Sequence, residues 1–169
     1  EDSMTDTPFT VLVLCTGNSA RSILGEALFN HLGQGRVRAF SAGSKPKGVP
    51  HPGALRLLAR RGIDIATFRS KSWDEFTAPG APRIDLAITV CGNAAGEACP
   101  VFLGSPLKAH WGVPDPVKAN GTEAEKGLAF DEAFSELNRR IAAFSALTIE
   151  RRDRAALQRS LDQIGISRP

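Results

Sequence analysis

Cys15 and Arg21 stand six positions apart in the stretch VLVLCTGNSARS, residues 11–22, with Ser22 directly after the arginine. The segment is apolar up to the cysteine and then turns small, polar and glycine-containing. A structural thiol needs neither the glycine nor the arginine; a nucleophile that must hold an oxyanion needs both. Backbone amides of Thr16, Gly17, Asn18, Ser19, Ala20, Arg21 and Ser22 can curl around a tetrahedral anion at the positive end of a following helix. Gly17 removes a side chain where the loop must bend or approach its ligand. Arg21 brings a rigid two-pronged donor for two oxyanion oxygens. The same field acts on the thiol: a helix N-terminus or neighbouring cation brings a cysteine from ~8.5 down to roughly 3.5–7.5. Cys15 is therefore expected to be largely thiolate at neutral pH, with Ser22 donating to its sulfur. Asn18 and Ser19 are suited to hold the loop by side-chain-to-backbone bonds. The competing reading is a buried cysteine ahead of an ordinary strand-to-helix turn.

The other two cysteines, Cys91 and Cys99, flank the small-residue stretch GNAAGEA, which is suited to movement. Cys91 follows an apolar segment and is expected to emerge on the same side of a sheet as Cys15. Three cysteines are an odd number and too few for a disulfide scaffold. A zinc site would need a second ligand pair, and His31, His51 and His110 are isolated, so no metal is expected. Two inert buried thiols, or a redox pair in which one thiol takes over an oxidation from another by exchange, remain. Asp115 lies between two prolines in PDP. It can serve as a general acid beside a bound anion, or simply cap a turn.

The elements that must position these groups read as follows. Thr10–Leu14 is continuous and β-branched, the pattern of a strand buried on both faces. Residues 22–31 form a helix with Leu24, Ala27, Leu28 and Leu32 on one apolar stripe. Val37–Phe40 is a second strand. A second helix begins near Pro52 and ends at Gly62. Ile84–Val90 is a third buried strand, and residues 106–111 a shorter strand at the sheet edge. Thr122 and Glu125 have the spacing of a capping box ahead of a long amphipathic helix through Phe130, Phe134, Leu137, Ile141 and Phe144. A last helix runs from Asp153 to Ile164. Strands alternating with helices give a parallel α/β sheet with right-handed crossovers.

Composition narrows the class of function. The 169 residues suit one domain, and 42% hydrophobic with 23% charged residues is ordinary for a globular chain. No apolar run approaches the ~18 residues that span a bilayer, and no signal pattern leads the chain, so a cytoplasmic location without membrane partners is expected. Glu1-Asp2-Ser3 ahead of Met4 reads as an expression remnant. The net charge of +3 is scattered, and with no tyrosine and two tryptophans a nucleic-acid partner is not expected.

LCTGNSARS resembles the phosphate-binding loop of the low-molecular-weight protein tyrosine phosphatase fold, and more closely that of the arsenate reductases built on it. FSAGSKPKGVPHPGA, GIDIATFRSKSWDEF, DLAITVCGNAAGEACP and HWGVPDP are similar to further segments of that reductase family, so the resemblance spans roughly Thr10 to Ile149. It implies a three-layer α/β/α fold with a four-stranded parallel sheet over residues 8–149, followed by a helical extension over 150–169. It also implies an order of events. Cys15 attacks arsenate, Cys91 attacks Cys15 and releases arsenite, and Cys99 attacks Cys91. The Cys91–Cys99 disulfide is then reduced by thioredoxin or a glutaredoxin-type donor. Asp115 matches the general acid. No cofactor is implied beyond the external thiol, although Glu26 and Ser41 match positions that support the loop and bind a monovalent cation in some relatives.

The chain departs from these patterns in two places. Ala20 stands where some reductases carry an additional cysteine, which the cascade does not require. Pro116-Val117 follows the acid where true tyrosine phosphatases usually place aromatic residues, which weakens phosphotyrosine stacking. The rival function is a phosphomonoesterase using Cys15, Arg21 and Asp115, with Cys91 and Cys99 guarding the nucleophile from overoxidation. A non-catalytic oxyanion-binding module is the third.

Overall fold

The apolar run ahead of Cys15 forms β1, Phe9–Leu14, and its neighbours explain why both of its faces are apolar. In the computed structural model, which describes residues 7–92, 96–97, 99–149 and 151–167, β1 lies inside a four-stranded sheet of order β2-β1-β3-β4. The partners are β2, Val37–Ala42, β3, Leu86–Thr89, and the edge strand β4, Leu107–His110. All pairings are parallel, and Leu14 is in register with Ala42 and Thr89, as Thr89 is with His110. Parallel strands in this register bring the residues after them to one edge. Cys15, Gly43, Cys91 and Trp111 therefore gather at a single end of the sheet, where α/β proteins bind ligands.

Alternation along each strand divides the core. Val11, Val13, Ala39, Leu86 and Ile88 join the main cluster, while Leu12, Leu14, Ala42 and Ala87 face the other side. The main cluster is covered by α1, Arg21–Gly33, α2, Pro52–Arg60, α3, Glu123–Ser145, and α4, Arg154–Ile166. Against the second face lie the 3₁₀ turn Trp73–Phe76 and Phe102. The expected capping box forms at α3: Thr122 accepts from the Glu125 amide, and the Glu125 carboxylate accepts from the Thr122 amide. The single stripe expected on α1 is a different matter. Ser22, Ile23, Leu24, Gly25, Ala27, Leu28 and Phe29 are all buried, because the helix is wedged between the sheet and α3 and has little free surface to give polar residues.

The C-terminal helix α4 belongs to the same core. Leu157, Leu161 and Ile164 are buried in the main cluster, and Trp111 Nε1 donates to the Leu161 carbonyl at 3.0 Å. Trp111 also stacks on Phe29, with centroids 6.0 Å apart. Trp111→Ala is expected to destabilise the protein by about 3–5 kcal/mol, the range for emptying a fully buried aromatic site. Urea unfolding followed by circular dichroism measures this, and a loss under about 1 kcal/mol would mean that α4 does not depend on this anchor. Among the described residues, no helix is long and apolar enough to cross a membrane.

Candidate active site

Residues 15–20 leave β1 and wrap over the start of α1. The cap position of α1 is Ala20, whose side chain makes no capping bond, and the first turn holds no acidic residue. The leading amides of the helix thus keep their positive end without an internal acceptor, the condition for anion binding. The loop is tied down from behind. The Thr16 and Gly17 carbonyls accept from the Lys45 and Lys47 amides at 2.9 and 3.0 Å, and the Ser19 carbonyl accepts from the His51 amide at 2.7 Å. Gly43 permits this close approach, since a Cβ there would fall 2.6 Å from the Cys15 carbonyl oxygen and nearer still to that of Thr16.

Asn18 is the pin of the loop. It is fully buried, with φ at +44°, a left-handed conformation that asparagine tolerates better than most residues. Its Nδ2 donates to Ser22 Oγ at 2.7 Å and Ser41 Oγ at 3.0 Å, and its Oδ1 accepts from the Lys71 amide at 2.8 Å. Ser22 Oγ thus accepts from Asn18, which leaves its hydroxyl hydrogen to be donated elsewhere. Side chains of Asn18 and Ser22 frame the loop from behind, whereas Thr16, Gly17, Ser19, Ala20 and Arg21 line the cavity in front of it.

That cavity encloses about 310 Å³ and is also lined by Cys15, Cys91 and Asp115, with Lys45, Lys47 and Lys118 around it. Cys91 lies against Cys15. The Thr16 amide donates to Cys91 Sγ at 3.4 Å, and Thr16 Oγ1 is 3.7 Å from the same sulfur. The Thr16 amide thus faces a sulfur, because the end of β3 places Cys91 beside the loop. Cys15 and Cys91 are within hydrogen-bonding reach, and neither is part of a disulfide. This shared proton, and after it burial, push the Cys15 thiol far up, against the Arg21 charge and the Gly17 amide. The direction is opposite to the lowering expected from the helix N-terminus and Arg21. Two adjacent sulfurs resist carrying charge together.

Arg21 does not aim both prongs into the cavity. Its Nη1 donates to the Val113 carbonyl at 3.0 Å and its Nη2 pairs with Asp115 Oδ2 at 3.3 Å. Asp115 caps a short 3₁₀ turn, its Oδ1 accepting from the Val117 amide at 3.0 Å, and its carboxylate also lines the cavity.

Known proteins place this geometry. A family model for low molecular weight phosphotyrosine protein phosphatases matches residues 10–159. The chain belongs to that family. Within it, the chain is 39% identical over 137 residues to an arsenate reductase of Bacillus licheniformis, covering 80% of this chain and 94% of that protein. The crystal structure of an arsenate reductase from Archaeoglobus fulgidus superposes with a TM-score of 0.62 at 27% identity, covering 81% of this chain and 99% of that one. A thioredoxin-dependent arsenate reductase of Corynebacterium glutamicum gives 0.57 at 25% identity, over 82% of this chain and 61% of that one.

Two groups named from the sequence lie outside this cavity. Cys99 does not join Cys15 and Cys91 at the cavity. It packs with Leu12, Leu14 and Ala87 on the second face of the sheet, in a separate cavity of about 440 Å³ that it shares with Thr89, Glu97, Lys108 and His110. Burial pushes its thiol up, and Lys108 opposes this. The small-residue stretch expected to carry it lies partly outside the described residues, at 93–95 and 98. The second is Glu26 with Ser41, matched by resemblance to a monovalent cation. Ser41 Oγ donates to Glu26 Oε1 at 2.6 Å, but the same oxygen also faces Lys71 Nζ at 3.9 Å, and Lys71 is buried. An ammonium already stands by the carboxylate, so these residues do not fit a dissolved cation.

Lys45, Lys47, Lys118 and Lys71 escaped the sequence reading. The alternating lysines of SKPKG directly after Gly43 were the available signal for the first two. Nothing local distinguishes Lys118 or Lys71 from surface lysines.

Proposed function

We propose that this chain reduces arsenate to arsenite by cysteine nucleophilic chemistry followed by disulfide exchange with an external dithiol. One observation carries the reading: a second thiol, Cys91, lies in the same cavity within hydrogen-bonding reach of Cys15. Hydrolysis of a phosphate ester has no chemical step for it, and would use it only to guard Cys15 from overoxidation. The relatives named arsenate reductase support the same conclusion.

The steps balance as follows. Arsenate enters against the loop amides, and its charge draws Arg21 away from Asp115. The Cys15 proton passes by way of the Asp115 carboxylate, once Arg21 has left it, to a hydroxyl of the bound arsenate; the sulfur attacks arsenic, a sulfur–arsenic bond forms, and the arsenic–oxygen bond to that hydroxyl breaks as it leaves as water. The Cys91 thiolate then attacks Cys15 Sγ. The sulfur–arsenic bond breaks with its electron pair passing to arsenic, which becomes arsenite, and a Cys15–Cys91 disulfide remains. Cys99 attacks Cys91 and returns Cys15 as thiolate. For this, Cys99 must cross from the second face of the sheet to the cavity, and the disulfide it forms is open to thioredoxin or a glutaredoxin-type donor.

The test supplies the full chain with arsenate and either reduced thioredoxin, its reductase and NADPH, or a glutaredoxin system, with an aryl phosphate in parallel. Arsenate-dependent NADPH oxidation is expected, and mass spectrometry after arsenate without reductant should find one intramolecular disulfide per chain. Aryl phosphate turnover with no arsenate-dependent oxidation by either donor would favour the phosphomonoesterase instead.

A further inference from the structure

Behind the loop, Lys71 and Glu26 form an ion pair withdrawn from solvent, with side chains only 7% and 14% exposed and Nζ 3.9 Å from Oε1. Burying two charges is costly and adds little stability by itself, so the question is what the pair organises. It is wired to the loop through protons that all run one way. Asn18 Nδ2 donates to Ser41 Oγ at 3.0 Å, and Ser41 Oγ donates to Glu26 Oε1 at 2.6 Å. The backbone amide of Lys71 itself holds Asn18 Oδ1 at 2.8 Å. Ser41 accepts from Asn18 through a lone pair while its own hydrogen is given to Glu26, and Glu26 takes that hydrogen best as a carboxylate. Burial pushes the Glu26 carboxyl up, opposed by the Ser41 bond and then by the Lys71 charge. Burial pushes the Lys71 ammonium down, and Glu26 is the leading opposition. The nearby Arg69 is committed to Glu75 through bonds of 3.2 and 2.9 Å at the surface.

We propose that Lys71 is a positioning residue whose ammonium is a built-in monovalent cation. It keeps Glu26 charged, fixes the direction of the Ser41 and Asn18 hydrogen bonds, and so holds the anion-binding loop in shape without a dissolved alkali ion. The inference rests on the loop binding a tetrahedral oxyanion, and not on arsenate reduction or the disulfide steps.

Calorimetric titration of the full chain with inorganic phosphate, in choline chloride and in potassium chloride at equal ionic strength, tests it. The wild type should bind equally in both salts. Lys71→Ala should bind roughly tenfold or more weakly in choline, because Glu26 loses its partner, and potassium should restore most of the loss. Adding Glu26→Gln to Lys71→Ala should abolish the potassium response, since no carboxylate remains to hold the ion. Lys71→Ser replaces Lys71→Ala if the latter does not fold. Wild-type binding that strengthens several-fold in potassium would overturn the proposal, as would a folded Lys71→Ala that binds normally in choline or is not rescued by potassium. Absence of phosphate binding by the wild type in either salt would instead remove the oxyanion reading beneath it.

Discussion

Cys15→Ser lowers both arsenate reduction and any aryl phosphate hydrolysis by roughly a thousandfold or more, while phosphate still binds within a few-fold of the wild type. The expectation follows from where each function resides. On the proposed function, anion binding belongs to the amides at the uncapped start of α1, to Arg21 and to the lysines around the cavity, none of which the substitution touches. Bond formation belongs to the sulfur alone. A serine hydroxyl is a far weaker acid than a thiol, and a carboxylate is too weak a base to take its proton. The oxygen also cannot form a disulfide, so even a single stoichiometric reduction of arsenate must fail. Stopped-time arsenite measurement with and without thioredoxin, beside phosphate titration, reads both halves. Arsenite formation by Cys15→Ser at a tenth of the wild-type rate or better would show that another thiol makes the first attack.

The sequence made Cys15 legible because a central parallel strand declares itself by being apolar on both faces, and β1 is such a strand. From that strand the place of the following loop is fixed, and so is the side on which Cys91 emerges after β3. The register shows why: Leu14 and Thr89 are cross-strand partners, and both thiols lie just beyond them. Arg21 was legible as a residue but not as a contact. Its pairing with Asp115 depends on a loop 94 positions away, and no local pattern reports which of two anions a guanidinium will face. Cys99 was misplaced for a related reason. Spacing along the chain gives reach, but which face of the sheet a loop residue joins is decided by packing, here against Leu12, Leu14 and Ala87. Lys71 was illegible because a lysine is ordinarily solvated; only the fold reveals that Glu26 waits for it one layer below the loop.

Cys91→Ser separates the two halves of the chemistry and also reports on the acidity of Cys15. Without the second sulfur, the arsenic adduct on Cys15 has no attacking thiol beside it, so thioredoxin-driven turnover of arsenate should fall by roughly a hundredfold or more. Hydrolysis of an aryl phosphate needs only Cys15, Arg21 and Asp115, and should survive. Cys91 is also the largest influence holding the Cys15 thiol protonated, ahead of burial, while Arg21 and the Gly17 amide act the other way. The sign is therefore fixed: removing Cys91 lowers the Cys15 pKa and raises its thiolate fraction at neutral pH. Iodoacetamide labelling of Cys15, located by peptide mass spectrometry across a pH series, should show its midpoint moving to lower pH in Cys91→Ser. The rate near neutrality should rise by roughly tenfold or more, since each pKa unit is a factor of ten in thiolate below the midpoint. A midpoint that moves upward would mean that Cys91 activates Cys15, and undiminished arsenate turnover would mean that the electrons leave arsenic's adduct by some route other than the neighbouring sulfur.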